Sequence, residues 1–464
     1  MENGCPFFLS SSGDMVKIVL VGAGSREFGP ATIRDVCLSD TLCALGVELM
    51  LMDVSAARLP AMEAYAESVA RRLGRKMSIH ASTDLAQALD GADYVVVAIE
   101  RQRYFYWAQD FHVPRLFGFN QIYGENGGPG GLFHALRNMP PMLKIARAME
   151  RVCPNAWLLN YTNPLTKLCE ALTRLSSVRM IGLCHGVFHG KQQLSRLLDI
   201  PADDIDARAS GLNHITWFQS ITRRSTGEDL YPVLRKRERK AHPLGEWDEM
   251  ALSRILLRVF GLYPSPGTNH IGEYIRWAAE FLGSSLLQFY YDPVDGHPWE
   301  TGPVPKWIYN LHEKATEHAL FSPGRAGEET KGLDADPLVP SGELAIPIME
   351  GMAAGHAQAL DAVNVVNHGA VPGLPEDAIV EVPARVDSDG VHPAHMPQLP
   401  EPVLALLRTQ CSINRLLVDA YADKSRHTLL QALLLDPTIH SYRSAASFLA
   451  EMCRLQADAL PELA

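Results

Sequence analysis

The stretch VKIVLVGAGS, residues 16–25, constrains the fold more than any other part of the chain. A short apolar-rich run leads straight into Gly22-x-Gly24, which reads as a buried strand ending in a tight turn. FGPATIRDVCLSD then continues as a helix with one apolar face, and VELMLMD is a second buried strand that ends in Asp53. SAARLPAMEAYAESVARRLGR has the 3.6-residue rhythm of a long amphipathic helix, SIHAST is a short strand, and DLAQALDGADYVVVAI supplies a helix and a fourth strand. GGLFHALRNMPPMLKIARAMERVC is helical, AWLLNYTNP is a strand ending in a turn, and RMIGLCHG is the next strand. Strands that alternate with helices pair in parallel and carry helices on both faces. The fold class is therefore α/β, a Rossmann-type doubly wound parallel sheet over residues 15–200.

From about residue 205 the rhythm changes. ARASGLNHITWFQSITRR alternates as an antiparallel strand pair does, and helical patterns follow near 246–282 and 306–320. GELAIPIMEGMAAG is helical, AVNVVNHGAVPGLPEDAIVEVPARVDSDGVHP returns to strands with turn signals, and the stretch from Leu399 to Pro437 is helical throughout. Residues 201–464 are expected to form an α+β domain packed closely on the first, with no flexible linker. Residues 1–14 are expected to be a disordered leader.

The charge pattern excludes several functions. Formal net charge is −11, and the one basic run, RKRERK at 235–240, reads as a solvated helix face. A chain of that sign repels phosphates, so no nucleic-acid partner is expected. No run of about twenty apolar residues is present, so no membrane partner is expected either. The eight cysteines are scattered through apolar segments, as reduced, buried thiols are, which points to the cytoplasm.

The glycine turn suggests a dinucleotide. Gly22, Gly24 and Ser25 would let backbone N–H groups approach a pyrophosphate at the start of the following helix. Asp53, 29 residues beyond Gly24, can bind the hydroxyls of the adenosine ribose and favours NAD over NADP. The third glycine of the usual pattern would be residue 27, which is Glu27, and Gly29 is out of register. A tight turn with a coincidental acid is the plain alternative.

MIGLCHGVFHG places Cys184 beside His185. Such a pair could be metal ligands, a nucleophile with its base, or two unrelated core residues. Neighbours on a strand point to opposite faces, so the two would make a poor nucleophile–base couple there, and any partner must come from elsewhere in the chain.

Four stretches, taken in order, decide among these readings: IYGENGGPGGLFHALRNMP, LLNYTNPL, GLCHGVFHG and GLNHITWF. In that order the chain resembles glycoside hydrolase family 4, the NAD- and metal-dependent glycosidases, which are related in fold to lactate and malate dehydrogenases. The resemblance runs from VGAGS to VEVPARVDSDGVHP. It implies oxidation of the sugar at C3 by NAD, removal of the C2 proton, elimination of the glycosidic oxygen, addition of water and return of the hydride, an exception to the two-carboxylate glycosidases. It assigns Cys184 and His214 as ligands of a divalent metal, usually manganese(II), although thiolate plus imidazole alone would equally suggest zinc. Asn163 corresponds to the family's Asn before Pro, and would bridge substrate hydroxyls and the nicotinamide ribose. His185, where phosphosugar-specific members carry Asp or Asn, becomes the candidate acid and a substrate contact. His270 is the candidate base at C2, four residues before Tyr274, since some members use a tyrosine near this place. Glu125 corresponds to an acidic position near cofactor and metal.

The resemblance thus implies a hydrolase acting on small, unphosphorylated, α-linked glycosides or uronides, with NAD and Mn2+ as cofactors, as a homodimer or homotetramer. A uronide would want a cation for its carboxylate, and Arg137 and Arg276 are candidates. The alternative is a lactate/malate-type 2-hydroxyacid dehydrogenase, against which the Cys-His and Asn-His motifs argue.

Overall fold

The computed structural model describes residues 15–25, 28–240, 250–281 and 337–464. The expected leader, Glu27 and the helical pattern at 306–320 lie outside the described residues. The first half holds strands β1 (Val16–Val21), β2 (Val47–Met52), β3 (Ser78–Ser82), β4 (Tyr94–Val97), β5 (Trp157–Asn160) and β6 (Arg179–Gly182). They lie side by side as β3-β2-β1-β4-β5-β6, every pair parallel. The chain reverses its direction of travel across the sheet between β1 and β4. The crevice above the carboxyl ends of those strands is where a doubly wound sheet binds its ligand.

Inside the edge strand β3 both faces of this sheet are largely buried, which is why β1, β2 and β4 read as near-continuous apolar runs. Ile18, Leu20, Leu49 and Leu51 face helices Phe28–Leu38 and Leu59–Arg72, together with Ala345–Ala354 from the second half. Val19, Val21, Val95 and Val97 face helices Gly128–Val152 and Leu165–Leu175 and the C-terminal helices Glu401–Ala422, Arg426–Leu435 and Tyr442–Leu455. Arg137 and Asp110, both fully buried, pair at 2.7 Å beneath that second layer, and Arg137 also donates to Gln456 Oε1 at 2.8 Å.

The second half does not build a separate sheet. Strands β7 (Ile205–Leu212), β8 (Ile215–Arg223), β9 (Tyr263–Ser265), β10 (Gln358–Val366), β11 (Ile379–Asp387) and β12 (Gly390–Pro393) extend the first sheet antiparallel. Beyond β6 the order is β10-β11-β7-β8-β9, with β12 on β11, giving twelve strands among the described residues. A single pairing, Gly182 with Asn364, makes the seam between the halves, and another, Gly211 with Glu381, joins β11 to β7.

The helix expected near 246–282 is shorter than its pattern. It runs from Ala251 to Phe260 and stops at Gly261, whose φ of +84° turns the chain out of the helix. Pro264 and Pro266 then favour the extended path through β9, before a single turn at Thr268–Gly272. No helix among the described residues is long and apolar enough to cross a membrane.

Candidate active site

The glycine turn sits at the reversal of strand order. Gly22 has φ +90°, and a Cβ there would lie 2.1 Å from the carbonyl oxygen of Ala98, so the position accepts only glycine. Asp53 is drawn into the turn: one carboxylate oxygen accepts from Gly24 N–H at 2.9 Å and the other from Ser55 N–H at 2.9 Å. Ser25 N–H donates to the Gly22 carbonyl, and Ser25 Oγ accepts from the N–H of Phe28 at the start of the helix. Gly29, out of register in sequence, proves to be the close-packing glycine. A Cβ on it would stand 2.4 Å from the Ala23 carbonyl oxygen, so the helix can press against the turn only without a side chain there.

At the other end of the crevice, Cys184 lies beyond β6, not on it, so the alternation of strand faces does not govern the Cys184–His185 pair. Cys184 Sγ and His214 Nε2 are 3.4 Å apart, and the sulfur also accepts from Gly186 N–H at 3.3 Å. His214 occupies the two-residue turn between β7 and β8 at φ +65°, a conformation that costs a non-glycine residue about 1–2 kcal/mol. Strain of that kind at a buried histidine is a mark of a site. The His270 ring lies tilted against that of His214, with centroids 4.3 Å apart, and the Tyr123 ring is 5.2 Å from that of His270. Nδ1 of His214 and Nδ1 of His270 are buried with no hydrogen-bond partner. Burial pushes the Cys184 thiol up to about 12 and both imidazoles below their usual range.

His214, His270 and Glu273 offer ligand atoms within 4.8 Å of one another. Glu273, however, is already engaged. Its carboxylate accepts the N–H groups of Glu125 at 2.6 Å and Asn126 at 3.1 Å and bonds that of Gly127, gripping the GENGGPGG loop by its backbone. Burial and the neighbouring Glu125 push Glu273 up to about 8. Lys167 holds the other side of the same loop, donating to the Asn126 carbonyl at 2.5 Å.

Glu125 is thereby fixed, and its carboxylate meets Arg103 at 2.6 Å. Burial opposes its ionisation, but Arg103, aided by His270, His134 and His214, holds it down at about 2. Arg103 reaches Glu100 as well, at 3.3 Å, and Glu100 is in turn bonded by His134 Nε2 at 3.0 Å. Asn138 joins this group to the Asn-Pro turn by donating to the Asn163 carbonyl at 3.1 Å. Tyr274 is buried with Glu273, Glu125 and Cys184 as its electrostatic neighbours, and burial keeps its phenol well above the usual range.

His185 immediately precedes helix Gly186–Leu198 and is half-exposed. Its Nδ1 is 3.3 Å from Glu343. Burial lowers its pKa and Asp35 opposes that. The fold therefore gathers Cys184, His214, His270 and Glu125 at one end of the crevice and Gly22, Gly24, Ser25 and Asp53 at the reversal of strand order. Asn163 is linked to the first group through Asn138 and Glu100, and His185 stands beside it in sequence. Sequence reasoning missed Gly29, Arg103, Glu100, His134, Lys167 and Glu273. Gly29 and Glu273 left traces, the one as a glycine out of register and the other as an acid three residues after His270 in TNHIGEY.

Comparison with known proteins bears on the same residues. The Family 4 glycosyl hydrolase domain matches residues 17–200, and the Family 4 glycosyl hydrolase C-terminal domain matches residues 209–439. This chain belongs to glycosyl hydrolase family 4. Membership makes it a glycosidase and sets the dehydrogenase alternative aside. An alpha-glucosidase of Erwinia rhapontici is 30% identical over 466 aligned positions, covering 92% of this chain and 95% of the relative. An alpha-galactosidase of Bacillus subtilis is 29% identical, covering 97% of this chain and all of the relative. Among solved structures, a 6-phospho-alpha-glucosidase from gut microorganisms in complex with NAD and Mn2+ shares the fold. Its TM-score is 0.77 at 23% identity, over 97% of this chain and all of that one.

Proposed function

We propose that this family 4 enzyme hydrolyses an unphosphorylated, neutral α-glycoside by an oxidation–elimination route that needs NAD and a divalent cation, manganese(II) by family resemblance. The observation that carries the reading is the thiol of Cys184 3.4 Å from His214 Nε2, with His270 against it and two buried imidazole nitrogens without partners. One sulfur and the imidazole of His214 form a donor set for a transition-metal cation that leaves room for sugar oxygens. The turn at Gly22 and the carboxylate of Asp53 fit a dinucleotide, because the cradle that a Cβ would fill is left open to backbone N–H groups.

When bound, NAD supplies a reversible hydride acceptor for sugar C3, and the cation supplies a Lewis acid for the oxygens at C2 and C3. The protein's own residues do the rest. Asn163, its backbone anchored by Asn138, directs its amide to a sugar hydroxyl. His270 Nδ1, without a hydrogen bond, accepts the C2 proton. His185 Nε2 gives a proton to the departing glycosidic oxygen. Glu125, held ionised by Arg103, orients the hydroxyl that is oxidised.

Charge favours a neutral sugar. Glu100 and Glu125, whose carboxyls are held below the usual range, stand at the site, while Arg103 is spanned between them and Lys167 is bound to the Asn126 carbonyl. Arg137, a candidate partner for a uronate, is fully buried against Asp110 instead, and Arg276 is exposed. Two related glycosidases whose names specify glucosides and galactosides support the same class.

The test is a panel of 4-nitrophenyl α-glucoside, α-galactoside and α-galacturonide, and the 6-phosphorylated α-glucoside, with NAD, Mn2+ and reductant in deuterium oxide. Turnover of a neutral sugar, dependent on both additions and leaving deuterium at C2 of the product, is expected. Preference for the galacturonide or the phosphorylated sugar would overturn the substrate class, and product without C2 deuterium would overturn the elimination route.

A further inference from the structure

Glu343 has no part in the motifs that define the site, yet it is one of the most firmly held carboxylates beside it. It stands in the segment leading into helix Ala345–Ala354, in the second half of the chain, and reaches the first half at three points. Its carboxylate is hydrogen-bonded by the phenol of Tyr161, and that phenol oxygen accepts the N–H of Ala345 at 3.1 Å, so the phenolic hydrogen is directed at Glu343. Its backbone N–H donates to Ser341 Oγ at 3.1 Å. Ser341 is pinned to Asp35 through both its N–H, at 2.9 Å, and its hydroxyl. The side chain is 9% exposed, whereas that of His185, 3.3 Å away through Nδ1, is 49% exposed. A fixed carboxylate thus faces one nitrogen of a ring whose other edge is accessible.

That arrangement has a chemical consequence. An imidazole with one nitrogen bonded to a carboxylate keeps its proton there and presents the other nitrogen in a set direction. We infer that Glu343 is the positioning residue for His185: its carboxylate, at ion-pair distance from Nδ1, favours the proton on that nitrogen and so makes Nε2 the atom that protonates the leaving glycosidic oxygen. As the C1–O bond breaks, its electron pair leaves with the oxygen, which takes the proton from Nε2. The ring left behind is neutral, with its Nδ1–H still facing Glu343. Tyr161, two residues before Asn163, joins this support to the Asn-Pro turn, so acid and substrate-orienting amide are held by one strand end. The inference rests on the acid role proposed for His185.

The experiment compares two glycosides of the sugar that the panel identifies. The 4-nitrophenyl glycoside expels a phenolate that needs little help, and the methyl glycoside expels an alkoxide that must be protonated. Measured on the full-length, NAD- and Mn2+-loaded enzyme, Glu343→Ala is expected to lower kcat/KM on the methyl glycoside roughly 10- to 100-fold, part of what a general acid contributes. It should change the nitrophenyl rate less than about threefold, since protonation of that leaving group contributes little. Glu343→Gln, which keeps an acceptor, should recover most of the loss. Adding Glu343→Ala to His185→Ala should cost nothing further, because both act through one proton. Histidine 15N spectra, with His185 assigned by its absence in His185→Asn, should show the Nδ1–H tautomer in the wild type and its loss in Glu343→Ala. An equal fall on both glycosides in Glu343→Ala would mean a structural role and overturn the inference. If His185→Ala discriminates between the glycosides and Glu343→Ala behaves as wild type, the inference alone fails. If His185→Ala does not discriminate, the acid assignment fails and takes the inference with it.

Discussion

Replacing Gly22 with alanine tests the cofactor turn at its most constrained point. The residue has φ +90°, a region that costs a side-chain-bearing residue about 1–2 kcal/mol. The added methyl would start 2.1 Å from the Ala98 oxygen and 2.8 Å from the Ala98 carbon, where real contacts begin near 3.0 Å. Ala98 cannot move away easily, because its N–H is bonded to Val21 O at 3.0 Å, continuing the β1–β4 pairing. Relief must come from shifting the turn by roughly 1 Å, and overpacking of this sort costs about 1–3 kcal/mol. The sum, about 2–5 kcal/mol, is below the 5–15 kcal/mol that domains usually command, so the variant should fold with a lowered Tm. A turn displaced by that distance no longer aims its N–H groups at a pyrophosphate. The Kd for NAD, read by calorimetry, should rise at least about tenfold, or 1.4 kcal/mol. Gly74→Ala is the control: its φ is +65° with nothing within 4 Å of the new methyl, so it should carry the conformational cost and leave NAD binding intact. Folded Gly22→Ala that binds NAD like the wild type would remove the β1 turn from the cofactor site.

Cys184→Ser should lose most of its affinity for Mn2+ in a direct binding titration while binding NAD normally; unchanged metal affinity would exclude the sulfur as a ligand. Arg137→Met should destabilise the protein by about 3–5 kcal/mol in denaturant unfolding, since it strands the fully buried Asp110. The same variant should leave the ratio of neutral to uronide turnover unchanged, and a selective loss of uronide turnover would place Arg137 in the substrate pocket. Burial pushes Glu170 up to about 7 from an ordinary 4.5 despite Arg174, so the folded state favours its protonated form. The associated stability is present below pH 4.5 and is lost as pH rises through 7, by at most about 3 kcal/mol. Glu170→Gln should therefore gain stability relative to the wild type between pH 5 and pH 8, and parallel Tm profiles over that range would refute the assignment.

The parallel half was legible because its strands are buried on both faces and its helices on one, and each burial pattern leaves its own period in the sequence. Helix Arg103–Leu116 escaped that reading. RYFYWAQDFHVPRL has aromatic residues around much of its circumference and Pro114 near its end, so no single apolar stripe stands out. Gly29 was legible as a glycine but not as the packing glycine, because its role depends on how closely the helix approaches Ala23 O. Cys184 and His214 could be singled out only as motif residues. Their proximity is produced by the seam between β6 and β10, which no local pattern announces. Glu273 and Glu125 are 148 residues apart in sequence and joined by a backbone N–H, a contact to which side-chain identity contributes only one partner.

The seam itself explains how Cys184 and His214, the proposed ligands from opposite halves, are kept in register. Gly182, two residues before Cys184, pairs with Asn364, and a Cβ on Gly182 would stand 2.9 Å from that of Asn364 and 2.8 Å from Cys169 Sγ. Asn364 Nδ2 lies 3.4 Å from the Gly182 carbonyl and 3.0 Å from Glu381 Oε1. Glu381 also accepts from Asn213 Nδ2 at 3.0 Å and from the hydroxyl of Thr216, the residues on either side of the His214–Ile215 pair. A carboxylate only 1% exposed would be too costly to bury unless such donors surrounded it, and these come from three strands or their ends. The polar chain Gly182–Asn364–Glu381–Asn213 therefore has one low-energy arrangement, and that arrangement sets the distance between Cys184 and His214. A sheet shared between the halves makes the geometry of the proposed metal ligands a property of strand pairing and not of a hinge. Rigid placement of this kind suits the proposed oxidation–elimination route, in which hydride donor and acceptor have to stay aligned from the first step to the last.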